Sequence, residues 1–100
     1  MSHDKFYSFI GLIQKSGNLI TGYNNCEFEI KKDKCKLIII AEDASENTKK
    51  KFTNMCNTRE LPFITLGSKE QLGQSIGKSP ASVLAIKDEG MSKVVLKMSE

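Results

Sequence analysis

Apolar positions near both ends of the chain follow a helical spacing. Over residues 4–15 they fall at i, i+3, i+4 and i+7, which is the spacing of one helix face. Those positions are Phe6, Phe9, Ile10 and Ile13. The same spacing returns after Asp88, which is expected to cap a last helix. The repeating positions there are Met91, Val94, Val95 and Met98.

Continuous apolar runs separate the helical segments and predict strands. The runs are KLIIIAE at 36–42, LPFITLG at 61–67 and ASVLAIK at 81–87, with Leu19-Ile20 as a shorter fourth. A run that is apolar at nearly every position suits a strand covered on both faces. Because such strands alternate with helices, the pattern predicts one α/β layered domain over residues 1–100, with helices on both faces of the sheet.

Capping residues predict three further helices between the strands. The expected caps are Thr21, then Asp43 or Ser45, and then Ser68, which opens a capping box with Gln71. The expected inward residues are Phe52, Met55 and Cys56 in the second of these helices and Leu72 and Ile76 in the third. The third helix is expected to stop at Gly77, with Pro80 shortly after it.

The helix within TGYNNCEFEIKK, residues 21–32, carries a phenylalanine outside its apolar stripe. At about 100° per residue, Tyr23, Cys26 and Ile30 form the stripe, and Phe28 points away from it. The residues that share the outer side with Phe28 are Asn24, Asn25, Lys31 and Lys32. A single exposed apolar residue is common. Asn, Lys and an aromatic ring are also the groups that bind base edges, phosphates and unstacked bases, so both interpretations stay open.

Composition and charge narrow the class of partner. The chain is 39% hydrophobic and 27% charged, which is typical of a globular domain, and its formal net charge is +3. With 14 Lys and one Arg, bidentate Arg readout of bases is nearly unavailable, whereas Lys contacts to phosphate remain. The N–H groups of Gly22, Tyr23 and Asn24 are expected to be free at a helix start and to form a further site for an anion.

Signals for catalysis or metal binding are weak. Cys26, Cys35 and Cys56 lack CxxC spacing, and the one histidine, His3, lies at the terminus, so we expect neither a zinc site nor a catalytic triad. The thiols are expected to be reduced, in a cytoplasmic protein without cofactor. The apolar run at 37–41 is too short to span a membrane, and the N-terminus does not resemble a signal peptide.

Three short motifs could each be explained either by a function or by a structural role. GKS at 77–79 lacks the first glycine of a phosphate loop and follows a helix, so that assignment is rejected. Glu42 and Asp43 follow a buried strand and form a candidate acid–base pair, although Asp43 is better explained as a helix cap. Lys49-Lys50-Lys51 suits a solvated helix face; it is also a candidate extension of a nucleic-acid footprint, although its helix is expected to lie away from the Asn24 face.

Three segments together resemble the kink-turn-binding ribosomal protein superfamily, and most closely its small bacterial YlxQ-like branch. The segments are GLIQKSGNLITG at 11–22, KCKLIIIAEDASENTKKK at 34–51 and SKEQLGQSIGKSPASVLAIKDEG at 68–90. The resemblance runs from about Phe6 to Met98. It implies a three-layer α/β/α sandwich with a small mixed four-stranded sheet, and binding of a bent RNA motif, the kink-turn.

The resemblance also implies a binding site. Relatives carry Gly-x-Asn-Glu-x-x-Lys at the start of a helix, where polar side chains read tandem sheared G·A pairs. Gly22 and Asn24 match this pattern, whereas Asn25 replaces the Glu and Phe28 replaces the Lys. The second contact region is the loop before the last strand, which packs on flipped-out nucleotides. Its residues here are Gly77, Lys78, Ser79, Pro80, Ala81 and Ser82, without the usual bulky apolar residue.

The sequence therefore predicts a noncatalytic, monomeric RNA-binding protein that acts on structured RNA, with the ribosome as a candidate assembly. Its expected contact residues are Gly22, Tyr23, Asn24, Asn25, Phe28, Lys31, Lys32, Lys78, Ser79, Pro80, Ala81 and Ser82. The alternative is a protein-interaction module that has lost kink-turn binding, in which Phe28 anchors a partner.

Overall fold

The computed structural model describes residues 4–100, so His3 lies outside the described residues. The helices of this part are α1 Asp4–Lys15, α2 Tyr23–Lys31, α3 Glu46–Arg59, α4 Lys69–Ser75 and α5 Glu89–Met98. Its strands are β1 Leu19–Thr21, β2 Leu37–Ile40, β3 Phe63–Thr65 and β4 Val83–Ile86. None of these helices combines the length and the apolar character that a membrane crossing requires.

The four strands form one mixed sheet in the order β1-β4-β2-β3. Strand β4 runs antiparallel to both β1 and β2, whereas β2 and β3 are parallel. Every residue of β2 and β4 is buried, because helices cover both faces of the sheet centre. Helix α1 packs against α4 and α5, while α2 and α3 meet through Tyr23 and Phe52. The three-layer sandwich and the mixed sheet are therefore as predicted.

The two terminal helices match their predicted patterns to different degrees. In α1, Phe6, Ile10 and Ile13 are buried, as expected. In α5, Val95 is buried but Val94 and Met98 lie at the surface. The spacing therefore predicted the buried face of this helix only in part. Ser92 takes an inward position instead. Its hydroxyl donates to the Asp88 carbonyl at 2.8 Å, which satisfies the polar group within the helix and allows burial.

Three of the predicted caps are confirmed. The side chains of Ser45, Ser68 and Asp88 each accept a hydrogen bond from a backbone N–H in the first turn of α3, α4 and α5, respectively. Asp43, the alternative cap of α3, instead accepts from the Lys69 N–H at 2.8 Å, and so caps α4 from a neighbouring loop.

The predicted Thr21 cap is wrong. Thr21 is the last residue of β1, and the N-cap of α2 is Gly22, which makes no side-chain capping bond. Gly22 has φ 99° and ψ 151°, a region of backbone space that is essentially restricted to glycine. The chain therefore turns from β1 into α2 through a backbone conformation and not through a side-chain hydrogen bond.

Close contact with α4 positions the loop at residues 77–82. A Cβ added at Gly73 would overlap the backbone carbonyl of Ser79 and lie 2.9 Å from Pro80 Cα. The Ala81 N–H donates to the Lys69 carbonyl at 3.0 Å, which ties the loop to the start of the same helix. The absence of a side chain at Gly73 thus decides how closely the loop lies against the helix.

We expect Gly73→Ala to lower the free energy of unfolding by about 1–3 kcal/mol, because the new methyl group must push the Ser79-Pro80 backbone away from α4. Urea denaturation measures the change. The matched control is Gly90→Ala in α5, where the added Cβ would meet only Asp88 Oδ2 at 3.3 Å. That variant should stay within about 1 kcal/mol of the wild type. Equal effects of the two substitutions would contradict the packing argument.

Candidate nucleic-acid interface

Antiparallel pairing of β1 with β4 brings the two predicted contact regions to the same end of the sheet. Thr21, the last residue of β1, pairs with Leu84 near the start of β4. Beyond this pair, the Gly22 N–H donates to the Val83 carbonyl at 3.3 Å. The start of α2 therefore lies directly beside the loop that precedes β4.

A groove of about 510 Å³ separates these two segments. Thr21, Gly22 and Tyr23 line one side, and Ile76 and residues 78–82 line the other. We call Gly22, the outer side of α2 and residues 77–82 the candidate interface. Lys78, Ser79 and Pro80 are exposed within it. Ala81 is largely buried, so it supports the loop and presents little of its side chain to a ligand.

The outer side of α2 is polar, with one large aromatic side chain. Asn24, Lys31 and Lys32 are exposed, as is Phe28, whose side chain is 58% accessible. The prediction that Phe28 points outward is thus confirmed. Lys32 Nζ lies 4.6 Å from the centroid of the Phe28 ring, within the range of a cation–π interaction. The ring and the ammonium group form one contact surface, with the aromatic face partly covered by charge.

The backbone at the start of α2 differs from the expectation at one position. The Gly22 N–H is not free, because it bonds to Val83 in β4. The first hydrogen bond of the helix runs from the Cys26 N–H to the Gly22 carbonyl. The N–H groups of Tyr23 and Asn24 lie before this bond, at the start of the helix. Asn25 Nδ2 donates to the Thr21 carbonyl at 3.1 Å, which fixes the direction of that amide.

Tyr23 does not belong to the buried stripe of α2. Cys26 and Ile30 are buried, but Tyr23 lies at the border of the core and the solvent, with 37% of its surface accessible. Its ring meets Phe52 of α3 edge-on at 5.1 Å, and Lys51 Nζ lies 4.8 Å from its centroid. Helix α3 therefore lies beside α2, and the lysine run at 49–51 reaches the candidate interface through Lys51.

Lys51 and Lys31 converge on Glu27, and we call these three residues the Glu27 cluster. Glu27 Oε2 lies 3.0 Å from Lys51 Nζ and 3.1 Å from Lys31 Nζ. Hydrogen bonds from Lys51 and then Lys31 lower the pKa of the Glu27 carboxyl below its usual value. The same carboxylate, with a smaller contribution from Tyr23, raises the pKa of Lys51. Glu27 and Lys51 therefore each stabilise the charged form of the other.

Sequence reasoning did not identify Glu27, and it considered Lys51 only as part of the lysine run at 49–51. The i, i+4 spacing of Glu27 and Lys31 is a readable signal for an ion pair on one helix. No comparable signal joins Glu27 to Lys51, because this contact exists only after α3 has packed beside α2.

The three thiols and Asp43 have structural roles. Cys26, Cys35 and Cys56 are buried, and burial raises the pKa of all three thiols, to about 11 for Cys35 and Cys56. Neutral, inaccessible thiols are poor nucleophiles. Asp43 is engaged as the cap of α4. Within residues 4–100, no three His, Cys, Asp or Glu side chains come together as a metal site.

The sandwich and its groove define a class of small α/β/α domain in which a glycine-led helix and a loop before a strand share one surface. Residues 4–96 match the model of the ribosomal protein L7Ae/L30e/S12e/Gadd45 family, and the chain belongs to this family.

Two curated relatives lie in the YlxQ branch. The chain is 33% identical over 98 residues to the RNA-binding protein YlxQ of Bacillus subtilis (strain 168), covering 98% of each chain. It is 37% identical over 99 residues to RNA-binding protein YlxQ of Enterococcus faecium, covering 99% of this chain and 95% of the relative. The YlxQ-like resemblance is therefore confirmed.

Two solved structures share the fold. A protein with unknown function from Bacillus halodurans C superposes with a TM-score of 0.90 at 30% identity, over 94% of this chain and 95% of its own. The Giardia lamblia 15.5kD RNA binding protein superposes with a TM-score of 0.77, over 92% of this chain and 79% of its own. At 23% identity, the Giardia structure supports the fold alone.

We expect Gly22→Ala to lower the free energy of unfolding by about 1–3 kcal/mol, because its backbone conformation is essentially closed to residues with a Cβ. Space is not the cause, since an added Cβ would meet only Asn25 Nδ2, at 3.9 Å. Gly77→Ala is the control: Gly77 also has open space, but its φ of 69° lies in the left-handed region that other residues enter at smaller cost. Urea denaturation should rank Gly22→Ala as the more damaging change; the reverse order would refute the argument.

Proposed function

We propose that this protein is a noncatalytic RNA-binding protein that recognises a kink-turn or a related structured RNA through the candidate interface. The observation that carries the proposal is the groove in which the start of α2 meets residues 78–82. These are the two segments that the resemblance assigns to RNA contact. The curated relatives in Bacillus subtilis and Enterococcus faecium, both named RNA-binding protein YlxQ, support the same class of ligand.

The side chains divide into three roles. Asn24 and Asn25 hydrogen-bond base edges, and Gly22, which has no side chain, lets the RNA approach the backbone closely. The cations that contact phosphate are Lys31, Lys32 and Lys78. Phe28 stacks on an unpaired base or makes an apolar contact with it. Residues 79–82 form the second wall, against flipped-out nucleotides.

Phe28 changes the contacts that the candidate interface can make with RNA. It stands where relatives carry a lysine, so one charged contact is lost at that position. Lys32 lies over the ring and supplies a positive charge nearby, but one helical turn further from the groove. We therefore infer weaker or less motif-selective binding than in relatives with the lysine. Binding by a monomer in the cytoplasm, in association with the translation apparatus, belongs to the same proposal.

A second candidate function rests on the exposure of Phe28. A large aromatic side chain that is 58% accessible is suited to anchor a protein partner. In that case α2 is a protein-interaction surface and the affinity for RNA is lost. Salt dependence distinguishes the two functions, since phosphate contacts weaken steeply as the salt concentration rises.

Calorimetric titration with a kink-turn RNA tests the main proposal. We expect binding that is tighter than to a control duplex whose G·A pairs are replaced by Watson–Crick pairs. Because three lysines are assigned to phosphate, log K should fall against log salt with a slope of about −2 to −3. Absence of binding to both RNAs at low salt would refute the proposal and favour the protein-interaction function.

Phe28→Lys tests whether the usual site is only weakened here. Restoring the lysine should strengthen kink-turn binding by about 1–3 kcal/mol, or roughly five- to 150-fold, because a charged contact is regained. Leu12→Lys on α1 is the matched control, since Leu12 is also an apolar helical residue with 58% of its surface accessible. It adds the same charge on the opposite layer and should leave the affinity nearly unchanged. Equal gains from both variants, or no gain from Phe28→Lys, would show that Phe28 does not stand in for that lysine.

A further inference from the structure

In the Glu27 cluster, two lysine ammonium groups hold a carboxylate oxygen in the way that a phosphate-binding site holds a phosphate oxygen. Two ammonium groups, from Lys31 of α2 and Lys51 of α3, approach the same oxygen, Glu27 Oε2, at 3.1 and 3.0 Å. Carboxylate and phosphate oxygens compete for the same N–H donors, because both are anionic acceptors of charge-assisted hydrogen bonds. The two lysines thus form a site for an oxyanion, and in this structure the carboxylate of Glu27 fills that site.

The position of the cluster places it at the edge of the candidate interface. Glu27 lies one turn beyond Tyr23 on α2, and Lys51 Nζ also contacts the Tyr23 ring, which lines the groove. The side chains of Lys31 and Lys51 are 60% and 37% accessible, whereas that of Glu27 is 22% accessible. A phosphate can therefore reach both lysines from solvent, while the carboxylate lies between them in the seam of α2 and α3.

We propose that Lys31 and Lys51 form a phosphate-binding site of the RNA interface, and that Glu27 occupies this site in the free protein and thereby limits the affinity for RNA. This inference rests on the proposed RNA-binding function. It adds Lys51 to the contact residues and assigns Glu27 the role of an internal competitor.

Electrostatics explains why the carboxylate matters. To bind between the lysines, a phosphate must displace Glu27 or accept a second negative charge within a few ångströms. Glutamine at this position keeps the shape of the side chain but removes the charge, so both lysines become free for the RNA. Phosphate contacts carry no sequence information, so the effect should be the same for different RNAs.

Glu27→Gln tests the inference in titrations with the kink-turn RNA and with the Watson–Crick control duplex. We expect roughly three- to tenfold tighter binding to both RNAs, and a salt dependence steeper by about one unit of log K against log salt. Glu89→Gln is the matched control. Glu89 also pairs with a lysine at i, i+4, Lys93 at 3.6 Å, and its loss changes the net charge equally, but in α5 on the opposite layer. It should leave both affinities nearly unchanged.

Two double variants test whether Lys31 and Lys51 provide the added RNA affinity of Glu27→Gln. In the Glu27→Gln background, Lys51→Met should abolish most of the added affinity, and circular dichroism with thermal melting verifies that each variant folds. Lys31→Met in the same background provides an independent test on the other cation.

The inference is overturned if Glu27→Gln binds no more tightly than Glu89→Gln, or if the gain survives removal of either lysine. It is also overturned if only the kink-turn RNA gains, because that outcome points to base readout. If the wild type binds neither RNA, even at low salt, the proposed function fails and this inference fails with it. If the wild type binds and Glu27→Gln has no effect, only the inference fails.

Discussion

The pairing of β4 with β1 and β2 is the interaction on which the rest of the structure depends. Strand β4 has a partner on each side and is buried on both faces, so it joins β1 to the rest of the sheet and forms part of the core between the two helical layers. Its antiparallel alignment with β1 also decides what lies at its start. The loop that enters β4 is held beside the residue that leaves β1, and the groove exists because these two chain segments meet there.

Two glycines, Gly22 and Gly73, shape the groove between α2 and the loop at 77–82. Gly22 allows the chain to leave β1 and begin α2 within one residue, while its N–H remains bonded to β4. Gly73 lets the loop at 77–82 lie against α4 without an intervening side chain. Both walls of the groove are therefore set by backbone geometry, and the polar side chains of α2 project beside it.

The charge of the interface depends on packing more than on the number of lysines. A lysine-rich chain with a net charge of +3 offers many cations, but the single carboxylate of Glu27 is paired with two of them, Lys31 and Lys51. Tyr23 and Phe52 bring α3 close enough for Lys51 to reach Glu27. The positive charge presented beside α2 thus depends on how α2 and α3 pack against each other.

The sequence by itself determined the features that depend on neighbours within one or two turns. The burial of β2 and β4, the caps Ser45, Ser68 and Asp88, and the outward direction of Phe28 all follow from spacing and local chemistry. Family resemblance added the sheet type and the two segments that are expected to contact RNA.

Only the tertiary structure decided the rest. It replaced the expected Thr21 cap with the backbone conformation of Gly22, rotated the buried face of α5 towards Ser92, and joined Lys51 to Glu27. Each of these outcomes depends on a partner that is distant along the chain or on the packing of whole elements. Local periodicity contains no information about such partners, because it records which side of an element is apolar and not what that side will meet.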